Sequence, residues 1–365
     1  MSRQSELAEL SRIYDSSALS NRNLIINGAM QVAQRGTVTG ATVTYGGADR
    51  YEFLSNGGSI VTLSQDTDVP SNQGFSNSQK IDVTTADTSL AASDYAIIRQ
   101  AIEGLNLQHL LYGTSEAKKV TLQFWVKSPK TGTHIVEFYH DDAVYFNSQS
   151  YTIATANTWQ KVTMTFDGYQ PTAIDNDNGI GLYIHWWLAA GSAFSGGTLT
   201  ENTWHNTHAN RAVGQVNVMD STSNDFYITG VQLEVGDTAT PFEHRSYGEE
   251  FQKCLRYYEQ WDCISGENIW LGTTYSGSGA CFLRFDTRKR AAPTITLPAA
   301  GQTANTISFL NGTGGYPTTT GTHSTDLITT RGCRLNGNSY AGLSSSVPTT
   351  LYSQGSTIFK FDAEL

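Results

Sequence analysis

Hydrophobic and polar residues alternate with a period of two along most of this chain, the spacing of strands with one buried face. The pattern is clearest at residues 118–127. There Val120, Leu122, Phe124 and Val126 share one face, and Thr121, Gln123, Trp125 and Lys127 the other. Residues 134–140, 160–166 and 179–188 repeat it, and shorter strands are expected at 50–53, 59–63, 79–84 and 95–103. Asn-Gly-Gly and Pro-Ser-Asn-Gln-Gly clusters mark turns between them, and 104–111 reads as one helical turn or a loop. Eight or more strands at spacings of roughly 10–20 residues predict an antiparallel sandwich. Its core is expected to include Leu122, Phe124, Val162, Met164, Leu182, Ile184 and Trp186.

The alternation breaks once inside a strand. Across residues 225–235, Phe226 and Ile228 have one parity and Val231, Leu233 and Val235 the other. A period-two strand buries both sets only if it carries an extra residue, which places a bulge at Gly230. Gly236-Asp237 ends the strand, Pro241 blocks its continuation, and a short helix is expected over 249–259 with Phe251, Leu255 and Tyr258 on one stripe. After this hinge the composition changes. Between 291 and 357 only Asp326, Arg331 and Arg334 are charged. Short strands are expected there at 280–284, 294–297, 306–310, 327–330 and 356–361. At the other end, residues 5–17 place Leu7, Leu10 and Tyr14 at heptad spacing, too short a helix to stand without partners. The chain therefore divides into a helical attachment or trimerisation segment (1–22), an all-β antiparallel sandwich (23–245), and a linker helix with a smaller C-terminal β domain (246–365).

Composition narrows the function classes. With 15% charged residues, 34 glycines and a net charge of −10 over 365 residues, the chain fits a turn-rich β protein and argues against a nucleic-acid partner. No apolar run reaches the 18 residues of a membrane span, so membrane insertion is not expected. The first ten residues lack the apolar core of a signal peptide, so synthesis in a cytoplasm is expected. Cys254, Cys263, Cys281 and Cys333 show no metal-finger spacing and read as free buried thiols. No cofactor or metal is expected.

Few residues carry chemistry. Asp175-Asn176-Asp177-Asn178-Gly179 has the Asp-x-Asp spacing of calcium loops but lacks their closing Glu, so a polar turn is the simpler reading. Asp141-Asp142 reads as a hairpin turn, and His205 and His208 beside Trp204 are the one close histidine pair. No opposed carboxylate pair can be drawn, so an enzyme is not expected. Aromatic rings are more informative. On residues 179–188, Tyr183, His185 and Trp187 face away from the core and need covering by a sugar, a subunit or a loop of this chain. Trp125 poses the same question. In the C-terminal domain, Trp261, Trp270, Tyr275, Tyr316, Tyr340 and Tyr352 are the ring stock. The glycan-stacking candidates are Trp125, Tyr183, His185, Trp187, Trp270, Tyr275, Tyr316 and Tyr340.

Two resemblances add to this reading. GVQLEVGDTATPFEHRSYGEEFQKCLRYYE, NLIINGAMQVAQRGT and NRAVGQVNVMDSTSNDFYITGVQLEVG resemble stretches of bacteriophage tail-fibre proteins, especially those of marine and cyanobacterial phages. Together they span about 23–258, and the motifs look structural rather than catalytic. The order KVTLQFWVKSPKTGTHIVEFY, TWQKVTMTF, DFYITGVQLEVG resembles jelly-roll carbohydrate-binding modules. The first resemblance implies a homotrimeric receptor-binding protein of the virion tail, made in the host cytoplasm. It would join other tail proteins through the N-terminal segment and adhere to a bacterial surface polysaccharide or lipopolysaccharide. Attachment at the N-terminus leaves the C-terminal domain distal and favours it as first contact, with the outer face of the sandwich, through Trp125, Tyr183, His185 and Trp187, as the rival location. The competing classes are a tailspike polysaccharide depolymerase and a structural tail segment carrying another adhesin.

Overall fold

The computed structural model describes residues 22–275, 277–301, 306–310, 321–340, 343 and 346–365; the helix expected at 5–17 lies outside them. The chain forms two compact units, residues 1–251 with Leu365, and residues 252–364.

The first unit is built from β1 (Val38–Ala41), β2 (Val43–Tyr45), β3 (Glu52–Asn56), β4 (Ile60–Asp66), β5 (Ser78–Thr85), β6 (Tyr95–Glu103) and β7 (Val120–Lys127). There follow β8 (Gly132–His140), β9 (Tyr145–Ile153), β10 (Gln160–Phe166), β11 (Ile180–Ala190), β12 (Trp204–His205) and β13 (Asp225–Val235). Among the described residues one sheet runs β1-β4-β5-β13-β7-β10 and the other β12-β9-β8-β11-β6-β3-β2, and the pairing is antiparallel throughout both. Consider β5 to β11 and β13 as eight successive strands. One sheet then holds the first, eighth, third and sixth, and the other the second, seventh, fourth and fifth. That interleaving is a jelly-roll sandwich. The expected core residues lie between the sheets, with Met164 at its margin.

β9 escaped the sequence reading. Asn147, Ser148, Gln149 and Ser150 interrupt its apolar pattern, yet the backbone pairs with β8 from Gly132↔Ile153 to His140↔Tyr145. The bulge in β13 is where parity put it: its register against β7 shifts between Thr229 and Gln232, and Gly230 has φ +61°. A Cβ there would meet the Phe75 ring at 2.6 Å and Trp125 at 3.0 Å, so only glycine fits.

Stretches that carry the tail-fibre resemblance, 23–37 and those running through β13, meet at this strand. Asn23 Nδ2 donates to the Val231 carbonyl (3.0 Å), while Asn23 Oδ1 accepts the Ile25 and Leu233 N–H groups (both 3.0 Å). Gly28 accepts the Val231 N–H (2.9 Å) and passes so close that a Cβ would lie 2.1 Å from the Val231 carbonyl oxygen. Glu243 accepts the Asn23 N–H (3.0 Å), and Arg245 bridges Glu243 (2.9 Å), Glu250 (2.8 Å) and the Ile25 carbonyl (3.0 Å). These residues clasp the N-terminal segment along β13. Their role is structural.

The linker helix spans Tyr247–Leu255, shorter than expected, because Tyr258 already belongs to a strand paired with the chain's last one. That pairing joins residues about a hundred positions apart and leaves no local trace.

The second unit comprises β14 (Tyr258–Cys263), β15 (Asn268–Tyr275), β16 (Ser278–Arg284), β17 (Thr294–Thr296) and β18 (Ala299–Ala300). β19 (Thr306–Phe309), β20 (Thr322–Asp326), β21 (Gly332–Asn338), β22 (Pro348–Ser353) and β23 (Thr357–Asp362) complete it. Its sheets are β14-β23-β17 and β18-β19-β22-β15-β16-β21-β20, and β18 approaches β20, curling the larger sheet toward a barrel. Cys281, Leu283, Ile307, Phe309, Leu335, Leu351, Phe359 and Phe361 fill the interior. All four cysteines are free and buried. Residues 327–330, expected as a strand, form the turn between β20 and β21. Leu327 takes φ +48°, and Thr329 closes the turn by accepting the Arg331 N–H and donating to the Gly332 carbonyl.

Candidate functional site

Strand pairing sets the outward rings of the sandwich side by side. Across β11, β8 and β9, Tyr183 lies opposite Tyr139, and Tyr139 opposite Phe146. Tyr183 and Tyr139 stack at 5.6 Å and 12°, and Tyr139 and Phe146 follow at 5.1 Å. Guanidinium groups cap both ends: Arg99 lies 4.2 Å from the Tyr183 centroid and Arg211 lies 4.0 Å from that of Phe146. Ring faces are therefore spent on one another: Tyr183 and Phe146 are buried and Tyr139 is half-buried. Burial, then Arg99 acting the other way, shifts the Tyr183 phenol up to about 12.

Above this row the chain covers itself. The helical turn Ser192–Ser195 and the 3-10 turn His208–Asn210 are tied together by Ala212 N–H to the Phe194 carbonyl (2.8 Å) and Gly197 N–H to the Ala209 carbonyl (2.9 Å). Phe194, Leu199 and Ala212 close over Trp187, which is fully buried. His185 is buried too, beneath Arg211. Arg211 Nε and Nη2 form a fork on Glu137 (2.9 and 2.7 Å), and His185 Nδ1 lies 2.9 Å from the same carboxylate. Burial pushes the Glu137 carboxyl up, but the Arg211 charge and the hydrogen bonds from Arg211 and His185 outweigh it and hold it at about 2. Burial, offset in part by Glu137, lowers His185 to about 4, so its Nδ1–H donates as a neutral imidazole. Trp187 and His185 are covered by the chain's own loop, whereas Tyr183 is covered by Arg99 and the Tyr139 ring. Trp125 is half-buried beside Gly230.

In the second unit the ring candidates separate. Tyr340 is a core residue whose hydroxyl bonds His323 Nε2. Trp270 is half-buried and stacked on Trp261 at 4.4 Å. Tyr275 is exposed, and Tyr316 lies outside the described residues. The solvent-facing residues that sequence reasoning passed over are Phe282 and Leu271, 66% and 79% exposed. Phe282 has the wrong parity for the core filled by Cys281 and Leu283, which is the signal that would have found it.

Beside Phe282 lies a groove of about 610 Å³, framed by β16, the residues after it, and the turn at 327–332. Phe282 and Leu327 supply its apolar surface, and Arg284, Arg288 and Arg331 its charge, with Asp286 among them. Neighbouring basic residues have structural work instead: Lys289 is buried against Glu259 and the Leu255 carbonyl, and Arg290 donates to the Ala363 and Glu364 carbonyls.

The acidic clusters serve turns. Asp177 Oδ1 accepts the Gly179 N–H (2.8 Å) and Asp142 Oδ2 accepts the Asp175 N–H (3.0 Å). Asp141 is raised by burial and then by adjacent Asp142, and the two sit side by side rather than across a cleft. Among the described residues no three His, Cys, Asp or Glu side chains gather as metal ligands.

No protein-family model matches the sequence, and no curated protein matches it. Solved structures align with more than half of the chain. The enzymatically active domain of bacteriophage CBA120 tailspike protein 4 aligns at 16% identity and TM-score 0.32, over 59% of this chain and 21% of that one. The chain thus spans about a fifth of the tailspike chain. The family 11 carbohydrate-binding module of Clostridium thermocellum Lic26A-Cel5E aligns at 14% identity and TM-score 0.27, covering 58% and 98%. TmCBM61, solved with β-1,4-galactotriose, aligns at 10% identity and TM-score 0.29, covering 59% and 99%.

Proposed function

We propose that this chain is a non-catalytic adhesin of a phage tail that holds a bacterial surface glycan. The observation that carries the reading is the groove beside Phe282. It is open, carries apolar surface and polar donors together, and rests on paired strands, the combination that sugar recognition calls for. The sandwich's outward rings are engaged with one another, which favours the second unit as the contact. The tail-fibre class draws support from the clasp: Asn23, Gly28, Glu243 and Arg245, distant in the resembling stretches, work as one device. In this reading the protein belongs to the virion tail, and residues 1–22 join it to other tail proteins.

Labelled full-length protein is expected to bind a subset of strains in a bacterial panel by flow cytometry. It is expected to release no reducing ends from their purified surface polysaccharide. Absence of binding to every strain would sink the adhesin reading, and sugar release would move the protein to the depolymerases.

The same reading assigns a homotrimer. A heptad stripe as short as Leu7, Leu10 and Tyr14 gains burial only in a bundle, and fibres close by cyclic symmetry. Light scattering at micromolar concentration should return three times the chain's 39.8 kDa. A monomer would refute it.

A further inference from the structure

We propose that the groove of the second unit binds an acidic saccharide, its sugar rings against Phe282 and Leu327 and its acid groups on Arg284, Arg288 and Arg331. This rests on the adhesin reading and names the chemical class of its ligand.

Charge is the first argument. The chain carries a net −10, yet this one groove gathers three arginines against a single acid, Asp286. Nearby Arg334 is forked onto Asp326 and neutralised, whereas Arg284, Arg288 and Arg331 have no acidic partner among the described residues. Unpaired, exposed guanidinium groups grouped around a concavity are forks for carboxylate, sulfate or phosphate oxygens. A neutral glycan would leave them unused.

Pre-organisation is the second. Arg331 sits on a turn whose backbone is fixed at both ends: Thr329 Oγ1 accepts its N–H (3.1 Å), and its carbonyl accepts the Phe285 N–H (3.1 Å). Thr330 ties the same turn to the far wall, its carbonyl accepting the Lys289 N–H (2.7 Å) and its Oγ1 accepting Arg288 Nε (3.3 Å). The backbone that carries Arg331 and the Arg288 guanidinium are held in place before a ligand arrives, which lowers the ordering cost of binding.

Apolar exposure is the third. Phe282 and Leu327 stand 66% and 61% exposed within the groove. Leu327 does so from a left-handed backbone conformation that a residue of its kind rarely adopts. Flat C–H faces of pyranose rings are the surface that covers such side chains while leaving acid groups in reach of the arginines. Nucleic acid fits less well, because three arginines on a chain of this net charge neutralise too few phosphates.

The test uses the full-length chain and isothermal titration. The probes are hexagalacturonate (carboxylate), a sulfated hexasaccharide, a glycerol-phosphate oligomer, neutral maltohexaose and a DNA duplex. At least one of the three acidic probes is expected to bind more tightly than maltohexaose and the duplex, and to weaken as salt rises. Losing a charged hydrogen-bond donor in Arg331→Gln or Arg284→Gln should weaken that probe about tenfold or more. Phe282→Ser should weaken it too, and Lys360→Gln, outside the groove, should not. Equal or tighter binding of maltohexaose or DNA overturns the proposal. So does indifference to Arg331→Gln and Arg284→Gln. Strain binding, measured in parallel, separates this inference from the reading beneath it. If the arginine variants still bind cells fully, the groove is wrong and the adhesin stands; if wild type binds no cell, the adhesin reading itself has failed.

Discussion

Trp186→Ala is expected to destabilise the sandwich by about 3–5 kcal/mol, the cost of deleting a buried aromatic side chain. Trp186 is fully buried at the middle of β11, 5.8 Å from Phe124 and 6.3 Å from Tyr51 between ring centroids. Phe124 hangs from β7 in the facing sheet and Tyr51 from the residue just before β3, both fully buried, so the hole has no easy way to collapse. Trp186→Phe should cost much less, because it keeps most of the ring and removes a buried indole N–H with no partner among the described residues. Urea titration followed on the first unit's transition checks both. An alanine variant that melts like wild type would invert the face assigned to β11.

Glu137→Ala should cost a similar amount, about 3–5 kcal/mol, by a different route. It strands Arg211 and His185 in a site where both are almost fully enclosed. The carboxylate also makes the sandwich acid-sensitive, and the sign follows from the two shifts. Glu137 is held at about 2 in the folded chain against an ordinary 4.5, so its contribution is present above 4.5 and is lost as pH falls toward 2. His185 is held at about 4 against 6.5, so folding excludes a proton from it, and that penalty grows as pH falls from 6.5 toward 4. Both weaken the fold on the acid side. Wild-type stability should therefore fall between pH 7 and pH 4, and the fall should shrink in His185→Asn. Identical denaturation curves at the two pH values would show that the pair is not coupled to folding.

Much of the frame was legible because it rests on local pattern. The period of two along β7, β10 and β11 selects which side chains enter the core, and the parity break in β13 demands an extra residue at Gly230. The resembling stretches 23–37 and 230–259 read as structural rather than catalytic, and the clasp of Asn23, Glu243 and Arg245 is what those residues build.

What alternation alone determined was which face each side chain takes, since that is fixed by the backbone whatever lies above the sheet. It put Tyr183, His185 and Trp187 outward, and they are outward. Only the tertiary structure decided what lies over them: a loop from residues 191–217 that covers Trp187 and sends Arg211 to Glu137, a contact between positions 74 apart. The same division holds in the second unit. Residues 327–330 have the β-rich composition of a strand, but the antiparallel pairing of β20 with β21 needs a turn there. That turn lifts Leu327 and Arg331 out of the sheet and sets them across from Phe282 and Arg284. Strand periodicity is a property of a few neighbouring residues, whereas a groove is made by segments that meet only after the chain has folded.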